Sequence, residues 1–329
     1  MKRVLVTGCG GFIGSRVCHQ LIDDHSVDVV GVDNMNDYYD ISLKFHRLDQ
    51  LRRRSQFHFH AVDISDRITL ADVFENYQFD AVLNLAARAG VRYSMENPYV
   101  YMQTNALGNL NLLEEMRMHG IRKYVLASTS SLYAGQDMPF VESLSVNTPI
   151  SPYAATKKAA EAMAYSYNYL YDIDTTVVRY FTVYGPAGRP DMSYFRFVYL
   201  IDQGQPITVY GDGEQSRDFT FVDDIARGTI LATKPLGYEI INLGGGNQPH
   251  SINKVIGIIE DLLGKKAVVD RKPAHVADME STWANIEKAD RLLGWKPEIS
   301  LEEGLRRCVA WYQDNREWLV KLPGICETA

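Results

Sequence analysis

An α/β fold, a doubly wound parallel sheet with a smaller, mostly C-terminal α/β lobe, is what this sequence predicts. Two observations lead there. In the first half, short β-branched runs alternate with longer segments of helical periodicity, and past about Tyr180 that rhythm gives way to loops punctuated by glycine and proline. A chain of 329 residues, 46% hydrophobic and 23% charged, has material for a sizeable core and two lobes.

The first strand, Arg3–Thr7, runs straight into Thr7-Gly8-Cys9-Gly10-Gly11-Phe12-Ile13-Gly14, with a helix predicted near 12–24. Gly8, Gly11 and Gly14 permit a tight turn, close approach of backbone to a pyrophosphate and close packing of the helix, whose N-terminal amides attract phosphate, as in a Rossmann dinucleotide site. The second strand, Val27–Val32, ends at Asp33, about 20 residues beyond the glycines. A carboxylate there accepts hydrogen bonds from an adenosine ribose and repels a 2′-phosphate, so NAD is favoured over NADP.

The third strand, Phe57–Val62, leads to Asp63, placed to contact adenine, and a helix is predicted near 66–77. A fourth strand at Ala81–Leu85 and a helix over 98–118 follow. The fifth strand, Lys123–Ser128, opens onto Thr129-Ser130-Ser131, a row of hydroxyls with no acidic residue beside it. The next helix, near 152–171, carries Tyr153 and Lys157 four apart and so on one face. An ammonium about 4 Å from the phenol, at an effective dielectric near 20, is worth about 4 kcal/mol or roughly three pK units, enough to make Tyr153 a general base near neutrality. Thr175–Tyr180 is the sixth strand.

Beyond it, YGPAGRPDM and YGDGEQSRDF introduce the smaller lobe, with helical stretches at 251–263 and 301–318; LLGWKP ends a helix at Gly294 with a proline three residues on. The expected division gives the dinucleotide half residues 1–180 plus about 218–244, and the smaller lobe about 181–217 and 245–329.

A net charge of −7 disfavours nucleic acid as a partner, and Arg52-Arg53-Arg54 reads as a solvated surface run. Cys9, Cys18, Cys308 and Cys326 form no CxxC pair, which favours a reduced, cytoplasmic setting. His58 and His60 share a strand face without further ligands, so no metal site is expected. No apolar stretch reaches the roughly 20 residues of a membrane span, and MKRVLVTG is too short for a signal-peptide core. Tyr165, Tyr167, Tyr169 and Tyr171 spread around a helix and need a partner to cover them.

TGCGGFIG, NLAARAGV, ASTSSLYAG, SPYAATK and RYFTVYGP together resemble the extended short-chain dehydrogenase/reductase family, in its nucleotide-sugar-modifying branch; RDFTFVDDIARG and LGWKPEISLEEGL extend the resemblance almost to the end. The resemblance implies that Tyr153 takes a proton from a sugar hydroxyl, that Lys157 also holds the nicotinamide ribose, that Thr129 hydrogen-bonds the reacting oxygen and that Asn105 supports the site. It implies NAD contacts at Phe12, Ile13, Asn34, Ile64, Leu85, Ala86, Ala87 and Tyr180 besides those above. Asn84 departs from the histidine common at its position.

Members that eliminate water carry an Asp-Glu pair after the threonine, and uronate decarboxylases a glutamate at the position of Ser131. With serines there, reversible C4 epimerisation through a 4-keto sugar is implied. GRPDM at 188–192 is similar to the stretch in UDP-glucuronate 4-epimerases, which give UDP-galacturonate. It implies that Arg189, Thr182, Ser130 and Ser131 clasp the C6 carboxylate; Ala187 stands where a bulky aromatic is usual. Arg88 and Arg217, the latter toward the diphosphate, and Asp278 toward the nucleoside complete the implied UDP-sugar site, with Ala277 in place of a usual glycine. A homodimer through the 98–118 and 152–171 helices is implied as well. A UDP-galactose-type 4-epimerase, a uronate decarboxylase and an NAD-binding sensor without turnover stand as alternatives. The intact Thr129, Tyr153 and Lys157 argue against the sensor.

Overall fold

A computed structural model describes residues 1–246, 249–273, 280–322 and 325. The first half runs β1 (Arg3–Thr7), α1 (Phe12–Asp23), β2 (Asp28–Val32), α2 (Ser42–Leu51), β3 (Phe57–His60), α3 (Arg67–Asn76), β4 (Ala81–Asn84), α4 (Val91–Glu96) and α5 (Pro98–Tyr101). A π-helical stretch, Met102–Leu107, joins α5 to α6 (Gly108–Met118), followed by β5 (Lys123–Thr129), a 3₁₀ turn at Ser130–Tyr133, α7 (Pro152–Tyr171) and β6 (Asp174–Tyr180). The second half runs β7 (Thr182–Tyr184), α8 (Ser193–Asp202), β8 (Pro206–Tyr210), β9 (Ser216–Arg217), β10 (Phe219–Phe221), α9 (Val222–Leu231) and β11 (Tyr238–Leu243). It closes with β12 (His250–Ser251), α10 (Ile252–Leu263), β13 (Val268–Lys272), α11 (Glu287–Leu293) and α12 (Leu301–Leu319).

Seven strands form one parallel sheet in the order β11-β6-β5-β4-β1-β2-β3. The chain builds outward from β1 to β3, then returns to β4 on the other side of β1, so a crevice opens at the C-terminal ends of β1 and β4 where the strand order reverses. Alternate strand residues enter opposite cores. Val4 and Val6 pack on one face of the sheet and Leu5 on the other; Val125 and Ala127 oppose Tyr124 and Leu126 in the same way. Burial on both faces accounts for the unbroken apolar runs in the sequence.

The expected sheet strands recur within about two residues of their predicted limits. Two features near the cavity were among those not legible. Helix α2 escapes a hydrophobic pattern because its buried stripe, Leu43, Lys44, Arg47, Leu48 and Leu51, contains two charges. The segment 98–118 is helical throughout but widens at Met102–Leu107, and this π turn presents buried Asn105 to α7. There Asn105 Nδ2 donates to Thr156 Oγ1 at 3.0 Å.

Candidate active site

A cavity of about 250 Å³ lies over the switch point, lined by the glycine loop, the ends of β2, β4 and β5, the start of α7 and the 189–192 loop. Its floor is tight. A Cβ on Gly8, whose φ is +70°, would stand 2.8 Å from the Ala86 nitrogen, and one on Gly14 would stand 2.1 Å from the Gly8 oxygen. Under that loop Thr7 Oγ1 accepts from the Leu85 and Ala86 amides at 3.1 and 3.0 Å and donates to Asn84 Oδ1 at 2.7 Å. Asn84 in turn donates to Tyr124 Oη at 2.8 Å. The residue that departs from its family pattern is thus a buried tie between β1, β4 and β5, away from the cavity lining.

Asp33 is fixed at the end of β2 by the Gly10 amide at 3.1 Å, the Met35 amide at 2.8 Å and Lys44 Nζ at 3.2 Å. Both members of the Asp33–Lys44 pair are buried, and both line the cavity. Lys44 was not found by sequence reasoning, since α2 itself left no apolar pattern to place it. Asp63 accepts from Asn34 Nδ2 at 2.7 Å and from the Ser65 amide and hydroxyl. Burial pushes its carboxyl up, but these hydrogen bonds outweigh burial and hold it below the usual carboxylate range.

Tyr153 is set at the first turn of α7, where Ser151 caps the helix through a 3.2 Å bond from the Ala154 amide and Pro152 pre-forms the start. Burial raises its pKa, and a hydrogen bond with Thr129 and the charge of Arg189 act in the opposite direction. Lys157 Nζ donates to the Ala127 carbonyl at 2.9 Å. Burial lowers its pKa to about 8, with Glu161 opposing the shift. The sequence expectation that Lys157 by itself brings Tyr153 toward neutrality is therefore corrected: desolvation dominates at both groups, and the nearby influences that lower the phenol are Thr129 and Arg189. Behind Lys157, Glu161 is held by Arg179 at 2.9 and 2.7 Å and by Ser128 Oγ at 2.6 Å.

Of the hydroxyl row, Thr129 and Ser131 are joined: Thr129 Oγ1 accepts from the Ser131 amide at 3.1 Å and donates to Ser131 Oγ at 3.1 Å. Arg189 faces the same cavity, paired through Nε with Asp191 at 3.0 Å and through a second nitrogen at 2.5 Å. Its guanidinium and that of Arg88 each lie against the Tyr38 ring, at 5.8 and 5.9 Å. Tyr38, Asn36 and Met192 also line the cavity and were missed, since loop residues carry no periodic signal, and Thr104 was missed because the π turn at Met102–Leu107 that presents it leaves none either.

The lining includes Gly8, Gly11, Phe12, Ile13, Gly14, Asp33, Asn34, Asp63, Ile64, Leu85, Ala86, Ala87, Arg88, Thr129, Tyr153, Lys157, Tyr180 and Arg189 of the expected set. Ser130, Ser131, Thr182 and Arg217 stand outside it; Ser130 is buried, and Arg217 Nη1 donates to the Ser216 carbonyl at 2.7 Å. Asp278 and Ala277 lie outside the described residues. Among the described residues no cluster of potential metal ligands occurs.

Comparison with known proteins agrees with this geometry. The family described as GDP-mannose 4,6 dehydratase matches residues 5–308. The chain is 58% identical over 317 residues to a UDP-glucuronate 4-epimerase of Thermodesulfobacterium geofontis, covering 96% of this chain and 98% of that one. Its structure is similar to that of UDP-glucuronic acid 4-epimerase from Bacillus cereus in complex with UDP-glucuronic acid and NAD, with a TM-score of 0.89 and 35% identity, covering 95% and 99% of the two chains. It is also similar to a UDP-glucose 4-epimerase from Thermotoga maritima with UDP-glucose, at a TM-score of 0.86 and 29% identity over 95% and 99%.

Proposed function

The chain belongs to the GDP-mannose 4,6 dehydratase family, and on that premise we propose that it inverts C4 of UDP-glucuronate reversibly, giving UDP-galacturonate through a 4-keto sugar, with NAD held in the cavity. The cradle fits that cofactor: side chains at Gly8 and Gly14 would collide with backbone, and the pinned Asp33 carboxylate suits a ribose diol. Gly11, Phe12, Ile13, Asn34, Asp63, Ile64, Leu85, Ala86, Ala87 and Tyr180 complete its contacts. Bound there, NAD would supply reversible acceptance of the C4 hydride and the positive charge of its oxidised ring.

Tyr153 takes the proton of the C4 hydroxyl as hydride leaves, and gives it back as the hydride returns to the other face. Thr129 orients the reacting oxygen, and Lys157 presents its ammonium from the Ala127 carbonyl. Elimination would need an acid and base beyond Tyr153, and Ser130 and Ser131 supply neither.

The observation that carries the uronate reading is Arg189 on the same cavity as Thr129, Tyr153 and Lys157. A guanidinium fork matches a carboxylate bidentately. A 4-keto uronate is a β-keto acid that loses CO2 when its carboxylate bond stands perpendicular to the carbonyl plane. Arg189 holds that bond away from this orientation, and Arg88 takes the nucleotide from the same cavity; Thr182, Ser130, Ser131 and Arg217, which stand outside the lining, and Asp278 remain the further contacts that the family resemblance implies. Incubation with UDP-glucuronate followed by NMR is expected to give UDP-galacturonate and no CO2. A UDP-pentose with stoichiometric CO2, or no reaction at all, would overturn the assignment.

The division into a dinucleotide half, 1–180 with about 218–244, and a sugar half is supported by which strands join the large sheet. A homodimer through α7 and the 98–118 segment is supported by exposed Tyr99, Met102, Leu107, Tyr169 and Leu170. Buried, unpaired Cys9, Cys18 and Cys308 support a cytoplasmic location. Among the described residues no helix is long and apolar enough to cross a membrane.

A further inference from the structure

Arg47 is 3% exposed and is not among the cavity-lining residues. From α2 it reaches two loops distant in sequence. Nε donates to the Ala187 carbonyl at 2.9 Å, Nη1 to the Gly10 carbonyl at 3.1 Å and to Tyr39 Oη at 2.7 Å, and Nη2 to the Ala187 and Gly188 carbonyls at 2.7 and 3.0 Å. Every one of the five N–H donors of a guanidinium is thus used, an arrangement that the three donors of a lysine cannot reproduce.

The loop it holds does not stand in that shape unaided. Ala187 has φ +52°, the left-handed region that a residue with a Cβ rarely adopts, and such an outlier persists where its surroundings over-determine it. On the other side Tyr194 Oη donates to the Gly185 carbonyl at 3.2 Å, and a Cβ on Gly188 would stand 1.7 Å from that hydroxyl. Arg189 follows directly, and its side chain is then aimed by Asp191. The position of the one guanidinium assigned to the C6 carboxylate therefore depends on a turn clamped to the dinucleotide loop.

We propose that Arg47 is a positioning residue which fastens the Arg189 turn to the dinucleotide loop and so sets the preference for a uronate over a neutral sugar. This rests on the assignment of Arg189 to the substrate carboxylate. Loosening the turn displaces Arg189 from the carboxylate but leaves the contacts to uridine diphosphate in place, so the two sugars respond unequally. A merely structural arginine would weaken both alike.

The test is calorimetric binding of UDP-glucuronate and of UDP-glucose to NAD-saturated protein, together with amide hydrogen exchange over residues 187–192. Arg47→Lys is expected to weaken UDP-glucuronate roughly tenfold and UDP-glucose less than about twofold, the loss of one or two oriented hydrogen bonds at a distance. Ala187→Pro, whose ring fixes φ near −65°, breaks the same fastening from the loop side, shifting the carbonyls that Arg47 holds while leaving the arginine in place, and is expected to act likewise. It carries the test should the lysine variant not fold. An unchanged ratio of the two affinities, or an equal loss for both sugars, overturns the proposal while leaving the epimerase assignment intact. Native protein without any preference for the uronate overturns the role of Arg189 instead; faster exchange at 187–192 in Arg47→Lys then still establishes the fastening, and unchanged exchange removes it.

Discussion

Tyr153 and Lys157 sit where burial opposes charge on both, so their reactivity depends on partners. Because burial places the Lys157 pKa below its free value, the ammonium is present below about pH 8 and lost above it. If its charge assists proton removal, kcat/KM measured from about pH 6 to about pH 10 falls as the pH rises through about 8. A profile flat to about pH 10 would show that this charge is not needed. Tyr153→Phe keeps the ring but removes the exchangeable proton, and a loss of at least 10²-fold in turnover is expected, with NAD still copurifying. This pair was legible because i, i+4 spacing fixes a shared face, and Asp33 because its place at a strand end is dictated by topology. Lys44 and Arg47 were hidden: charged residues on a buried helical stripe read as a solvated face until their partners, Asp33 and the 187–188 carbonyls, are seen.

Elements of the smaller lobe are joined by polar ties more than by a shared sheet. Asp202, ending α8, receives Lys265 Nζ at 2.7 Å from beyond α10, and Tyr312 Oη at 2.8 Å and Arg316 Nε at 2.6 Å from α12. Burial pushes its carboxyl up, but those donors prevail and hold it at about 2. A folded pKa depressed below the unfolded value gives stability that is present above the unfolded pKa and lost as the pH falls through the folded one. Asp202→Asn is therefore expected to lower stability by about 1 kcal/mol at pH 7, since two of the partners are half exposed, and the difference from native protein should close as the pH falls from about 4 toward about 2. Chemical denaturation at several pH values measures it; a gap independent of pH would mean packing and not charge. Helix α12 was legible from its periodicity, whereas the π turn at 102–107 was not, because one extra residue per turn leaves no mark in an apolar pattern.

Across the molecule, half of the large exposed apolar residues described lie on α7 and the neighbouring 98–118 segment, where Tyr169 is 76% and Tyr99 78% exposed. Light scattering is expected to give the mass of two chains, and Tyr169→Glu, placing charge in that contact, the mass of one; a native mass of one chain would exclude the pairing. The doubly wound order followed from the alternation of strands and helices, but β11 had no strand of its own in the reading, only a place within the 218–244 segment. Its residues, YEIINL, are half polar, and they become a strand because β6 offers an open edge. That edge has a consequence for synthesis. When a ribosome has delivered Tyr180, the seven residues of β6 present unpaired amides and carbonyls, and residues 181–237 must still be made before β11 arrives to cover them. A nascent chain paused there exposes a template for pairing with its neighbours on the same message. A chain ended after residue 180 is therefore expected to associate through this uncovered edge, where the intact protein does not.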